Sequence, residues 1–182
     1  MRRAFIAAAI LMPLAAASAT AETFCGANVQ RNVDEVRTFL GHFFVACEDE
    51  GSCRAMTYQT VKDSGVPWTH RLAVIAAGKG APLKIELTVD KGQIDVTEGY
   101  DLVIDHGQPL RVPPEAIKAG AGRNDYLLND DLNESVIKDL AGGGNVRWNY
   151  VNAEDKKPAS AQMSLAGMRK AMRWIKCAQK KM

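Results

Sequence analysis

Along most of the chain, apolar and polar residues alternate with a period of two. Leu83, Ile85, Leu87 and Val89 fall on one face while Lys84, Glu86, Thr88 and Asp90 fall on the other, the pattern of a strand buried on one side. Shorter runs of the same kind cover Phe43 to Cys47, Cys53 to Thr60, Trp68 to Ala76, Tyr100 to Ile104, Leu110 to Val112 and Val146 to Val151. Turn-forming residues punctuate them at Ser64-Gly65, Gly78 to Gly80, Glu98-Gly99, Asp105-His106-Gly107 and Asn152 to Pro158. Short strands at this spacing predict a mainly β domain of the sandwich type. Val33 to Leu40 reads as an amphipathic lead-in.

Two segments change to a helical period. Asp130 and Asp131 can cap a helix that runs to Leu140 and stops at Gly142-Gly143-Gly144. The second helix starts with Ser164 as its cap and carries Leu165, Met168, Met172 and Ile175 within roughly 80° of arc, a narrow stripe for docking on a sheet. Cys177 lies on the far side of that stripe, so any chain segment bonded to it must come round the helix flank.

The first 21 residues follow a different rule. Arg2 and Arg3 precede an apolar run from Ala4 to Ala17, and Ala19-Thr20-Ala21 supplies small residues for cleavage. This predicts a signal peptide over residues 1–21, a single domain over 22–182, and export to the periplasm or beyond. The apolar run is shorter than the ~20 residues of a membrane-spanning helix. Phe24 before Cys25 argues against a lipid anchor, and the twin arginines match the folded-protein export signal only in part.

Cleavage alters the charge. The precursor has 23 Lys+Arg and 21 Asp+Glu; losing two arginines and no acid leaves 21 against 21. A neutral domain gives no reason to expect a nucleic-acid partner. Export also gives the four cysteines a meaning, since an even count in an oxidising compartment reads as a disulfide framework. Cys47 and Cys53 flank a polar, glycine-containing turn between two apolar runs and are placed to bridge a hairpin. That leaves Cys25 for Cys177, joining the two ends of the domain. Neither C-x-x-C spacing nor a histidine at ligand spacing supports a redox or zinc site.

The segments CEDEGSCRAMTY (Cys47 to Tyr58) and SLAGMRKAMRWIKCAQ (Ser164 to Gln179), with Leu102 to Asp105 and Pro109-Leu110 between them, resemble the invasion-associated locus B family and related exported proteins of Gram-negative bacteria. The resemblance implies an immunoglobulin-like sandwich in the periplasm or outside the cell. It implies no catalytic residues, and the family's link to host-cell invasion is a phenotype.

Candidate chemistry is sparse. His42, His70 and His106 share no partner at a spacing that would build a site and read as surface or edge positions. Asn124, Asp125, Asn129, Asp130, Asp131, Asn133 and Glu134 crowd together but lack the order of a calcium loop, and read as a turn and helix start. Gly142 to Gly144 follow a helix, opposite to a phosphate cradle. No catalytic residue, metal ligand or cofactor site emerges. What remains is the last helix, where Arg169, Arg173, Lys176 and Lys180 recur along one face, with Lys170 and Lys181 nearby. They read as a helix face complementing its own dipole, or as a docking surface for an anionic envelope or host component. The sequence thus favours an exported, non-enzymatic binding or structural module. The competing class is a small periplasmic hydrolase using Asp49 and Glu50.

Overall fold

The computed structural model describes residues 22–59 and 68–182. The signal segment and the Ser64-Gly65 turn lie outside these residues.

Among the described residues, nine strands form one antiparallel sheet. Seven are joined in sequence order: β1 (Glu22–Phe24), β2 (Ala27–Arg31), β3 (Glu35–Leu40), β4 (Phe43–Glu48), β5 (Cys53–Gln59), β6 (His70–Ala76) and β7 (Lys84–Val89). The chain then leaves for the opposite layer with β8 (Tyr100–Ile104) and β9 (Leu110–Val112). It returns to extend the large sheet with β10 (Ile117–Ala119) and β11 (Asp125–Leu128), the latter pairing with β7. After α1 (Asp130–Gly142), β12 (Asn145–Val151) and β13 (Pro158–Ser164) complete the second sheet, ordered β13-β12-β8-β9. Helix α2 (Met168–Lys181) closes the domain. The architecture is a β-sandwich with two helices and two disulfides.

Period-two alternation explains the layers. On β6 and β7, Leu72, Val74, Ile85 and Leu87 are buried and join the residues of the small sheet and both helices in one core. The opposite face of the large sheet carries ion pairs, Arg54 with Glu35 and Arg71 with Glu86 and Asp125. At the centre Trp148 of β12 is fully buried, its ring 4.9 to 6.4 Å from those of Tyr100, Tyr126, Tyr150 and His70. The contacts with His70, Tyr100 and Tyr126 are edge-to-face, which adds to the burial of each ring.

Both cystine bridges lie at the helix end of the sandwich. Cys47 and Cys53 stand opposite each other in register across the β4–β5 hairpin. Cys25 is joined to Cys177 across 152 residues. Cys25 and Gly26 form the two-residue turn between β1 and β2, both with positive φ, which matches the primed turns that tight hairpins require.

Strands β1, β2, β10 and β11 are not marked by the alternation, and three further readings change. Val33 to Leu40 is not only a lead-in, since β3 is a full strand with Val36 and Thr38 buried. Residues from Pro158 onward, read as the end of a turn, form β13; its inward residues include two alanines, too small to stand out as an apolar run. Ser164 ends β13 and does not cap α2, whose N-cap is Gly167 at φ 102°. The serine Oγ instead accepts from the backbone N–H of Ala166 at 3.2 Å.

Candidate functional site

Helix α2 has fourteen residues, six of them Lys or Arg and none acidic. Its core-facing side is Met168, Ala171, Trp174, Ile175, Ala178 and Gln179, a wider face than the stripe expected from the sequence. Trp174 and Gln179 widen it, and each is held by a hydrogen bond. Trp174 Nε1 donates to the carbonyl of Phe24 at 3.0 Å, while Gln179 Nε2 donates to the carbonyls of Gly51 and Gly78 in two hairpin turns. Such bonds satisfy polar atoms that burial would otherwise leave orphaned.

The β1–β2 hairpin covers the next flank. Phe24 packs edge-to-face on Trp174, Cys25 bonds to Cys177, and Lys181 Nζ lies 5.7 Å from the Phe24 ring centre. Core and hairpin together leave Arg169, Arg173, Lys176 and Lys180 along roughly 60° of exposed arc. Arg169 is partly engaged, donating to the Ala141 carbonyl at the C-terminal end of α1, where a cation complements the helix dipole. Among the described residues, no α2 side chain forms an ion pair, whereas Arg31, Arg37, Arg54, Arg71, Lys84 and Lys156 all do. Of the eleven cations without an ion pair among the described residues, six therefore lie on this one helix, and four of these form a ridge.

Two grooves flank this ridge. One, of about 770 Å³, lies between β2, β3 and the N-terminal half of α2; its lining includes Arg37, Lys170 and Arg173 but no carboxylate. Phe39 stands at its rim, 72% exposed, with its ring 5.2 Å from Phe44. The other groove, of about 830 Å³, runs between α1, α2 and the β6–β7 turn. There Lys176 and Lys180 share an apolar floor with Asp130 and Glu134, so its charge is mixed.

The remaining candidates separate in space. Asp49 and Glu50 are exposed at the tip of the β4–β5 hairpin and line neither groove. Asp125 joins Arg71 and Thr88 on the outer sheet face, Asn129 caps α1, Asp130 pairs with Lys84, and Asn133 is buried against the backbone of Leu83 and Ile85. His42 and His106 are exposed in turns.

His70 corrects the sequence reading, because it is buried beside Trp148 and is not a surface or edge position. Its Nε2 lies 2.7 Å from Tyr150 Oη and its Nδ1 lies 3.0 Å from Thr69 Oγ1. Its parity on β6, shared with Leu72, Val74 and Ala76, was the available signal. Burial holds the imidazole below its ordinary 6.5 by penalising the charged form. The unfolded chain therefore takes up a proton before the native state does, and stability falls as pH drops below about 6.5. Urea midpoints at pH 7.5 and 5.5 should differ more for the native sequence than for His70→Gln; equal differences would assign the loss to other groups.

No family model matches this chain, and no curated protein sequence matches it. Among solved structures it is similar to the crystal structure of invasion associated protein B from Bartonella henselae, with a TM-score of 0.60 over 79% of this chain and 98% of that one, at 16% identity. What the two share is the fold. At this identity the likeness transfers no ligand and no site residue. That shared fold is the sandwich that the sequence resemblance implies.

Proposed function

We propose that this is an exported, non-enzymatic binding module of the cell envelope or its exterior, which docks on an anionic partner through α2. One observation carries the reading: six cations on a helix without a single acid, none ion-paired among the described residues, in a domain whose other cations are largely paired. A ridge serving only its own helix dipole would need cations in the last turn, where Lys180 and Lys181 stand. Arg173 and Lys176 lie before that turn and call for another reason. Two disulfides and the absence of any membrane-spanning helix among the described residues fit an exported chain. The link to invasion in the Bartonella protein's name suggests an envelope or host surface as the place to look.

Affinity capture of the oxidised domain from its own envelope extract tests this. Arg173→Glu with Lys176→Glu should cut capture by about tenfold or more, as expected where desolvated charges anchor an interface. Lys91→Glu with Lys157→Glu makes the same change in net charge at other exposed positions and should leave capture near the native level. Equal losses in both variants would reduce the effect to bulk charge and remove the ridge from consideration.

A further inference from the structure

Resting on that reading, we infer that the ridge and the adjoining carboxylate-free groove form one track for a linear acidic polysaccharide, carrying about one negative charge per sugar. The ridge is a row and not a patch. Arg169, Arg173, Lys176 and Lys180 follow one another at intervals of three or four residues, which on a helix is a rise of ~4.5–6 Å per step and ~16 Å overall. Successive charges of an extended polyuronate are about one pyranose apart, a comparable pitch. The groove opens beside this row through Arg173, which belongs to both.

The groove's chemistry distinguishes a sugar from other polyanions. Its outer rim presents the exposed side-chain amides of Asn28 and Gln30, which can donate to and accept from hydroxyls, and the open ring of Phe39, which offers a flat apolar surface to the C–H face of a pyranose. Lys170, which has no ion-pair partner among the described residues, adds positive charge to the groove, while Arg37 is engaged by Glu35. A flat bilayer fits this surface poorly. Val36 and Thr38 turn inward on β3, towards the layer that holds α2, so Phe39 projects from the opposite face of the strand. Phe39 and Arg173 nonetheless line one groove, which a flexible chain can follow from the ring to the ridge.

Titration calorimetry with three probes decides the matter: an oligogalacturonate, a poly-glutamate peptide of equal charge, and phosphatidylglycerol–phosphatidylcholine vesicles. The oxidised domain should bind the oligogalacturonate about tenfold tighter than the peptide and the vesicles. Phe39→Ala and Asn28→Ala with Gln30→Ala should each weaken the sugar several-fold while leaving peptide binding unchanged. Arg173→Glu with Lys176→Glu should weaken every probe. The three rim residues are exposed, and matching unfolding midpoints confirm that the variants fold. Equal affinity for the peptide, or indifference of sugar binding to the rim variants, overturns the sugar in favour of an acidic protein. Preference for vesicles overturns it in favour of a membrane. Failure of all three probes, alongside charge-dependent capture from envelope extract, sinks the polysaccharide and spares the proposed function. Failure of both sinks the two together.

Discussion

Replacing Cys25 and Cys177 with alanine should destabilise the oxidised domain by about 5 kcal/mol, whereas replacing Cys47 and Cys53 should cost about 2 kcal/mol. The two bridges differ chiefly in what they remove from the unfolded ensemble. One closes a separation of 152 residues and the other a separation of 6. In the chain-entropy account the loss grows with the logarithm of loop length, which yields these two figures. A loss of about 5 kcal/mol rivals the whole stability of many domains, roughly 5–15 kcal/mol, so the first variant should be partly unfolded at physiological temperature. Its consequences are also local. The β1–β2 hairpin supplies one wall of the carboxylate-free groove and is tied to α2 by the bridge, the Phe24 ring against Trp174 and Lys181, and the Trp174 hydrogen bond. Guanidinium titrations of the native protein and the two paired variants measure the difference. Equal losses, or a larger loss from the hairpin bridge, would show that the entropy of the long loop is not what the terminal bridge controls.

The sequence made local features legible and left non-local ones hidden. Alternation located β4 to β9 and β12 because large apolar residues mark their inward faces. It missed β13, where Ala159 and Ala161 stand at positions that elsewhere hold large apolar residues, β1 and β2, where Val29 is the only buried residue, and β10 and β11, the latter beginning at Asp125 where a turn was read. The ridge was legible because a cation every three or four residues is a helical period. Its grooves were not, since each depends on segments more than a hundred residues apart in the chain: Phe39 beside Arg173, and Lys79 beside Lys180. His70 was misplaced for a related reason. Its parity points inward, but only the packing of β12 against β6 makes Tyr150 its partner.

Gly167→Ala should be nearly as damaging as loss of the terminal bridge, at about 4 kcal/mol. Gly167 caps α2 at φ 102°, a conformation that side-chain-bearing residues adopt only with strain of about 1–3 kcal/mol. The second contribution is collision. A Cβ at this position would fall 1.8 Å from the carbonyl oxygen of Leu40 and 2.6 Å from its carbon, and both are backbone atoms that no rotamer change can move aside. Gly41 faces it from the β3–β4 turn under the same constraint, with a hypothetical Cβ 2.3 Å from the Ala166 oxygen. The His42 N–H donates to that same oxygen at 2.8 Å. The start of α2 is thus seated on a turn by backbone-to-backbone contact, and overpacking such a contact adds about 1–3 kcal/mol. This gives the last residue of the Ser164-Leu165-Ala166-Gly167 segment a physical role that its first residue, read from sequence as the helix cap, does not have. Gly80→Ala separates the two contributions, because Gly80 has φ 76° with nothing within 4 Å of its Cβ position, and so should show the conformational penalty alone. Urea unfolding of both variants measures the gap, and equal losses would mean that the turn yields to the added methyl group. If the gap is present, the displaced helix start also moves Lys170 and Arg173 relative to Phe39. Gly167→Ala should then lower capture from envelope extract under conditions where the variant remains folded, while Gly80→Ala leaves it intact.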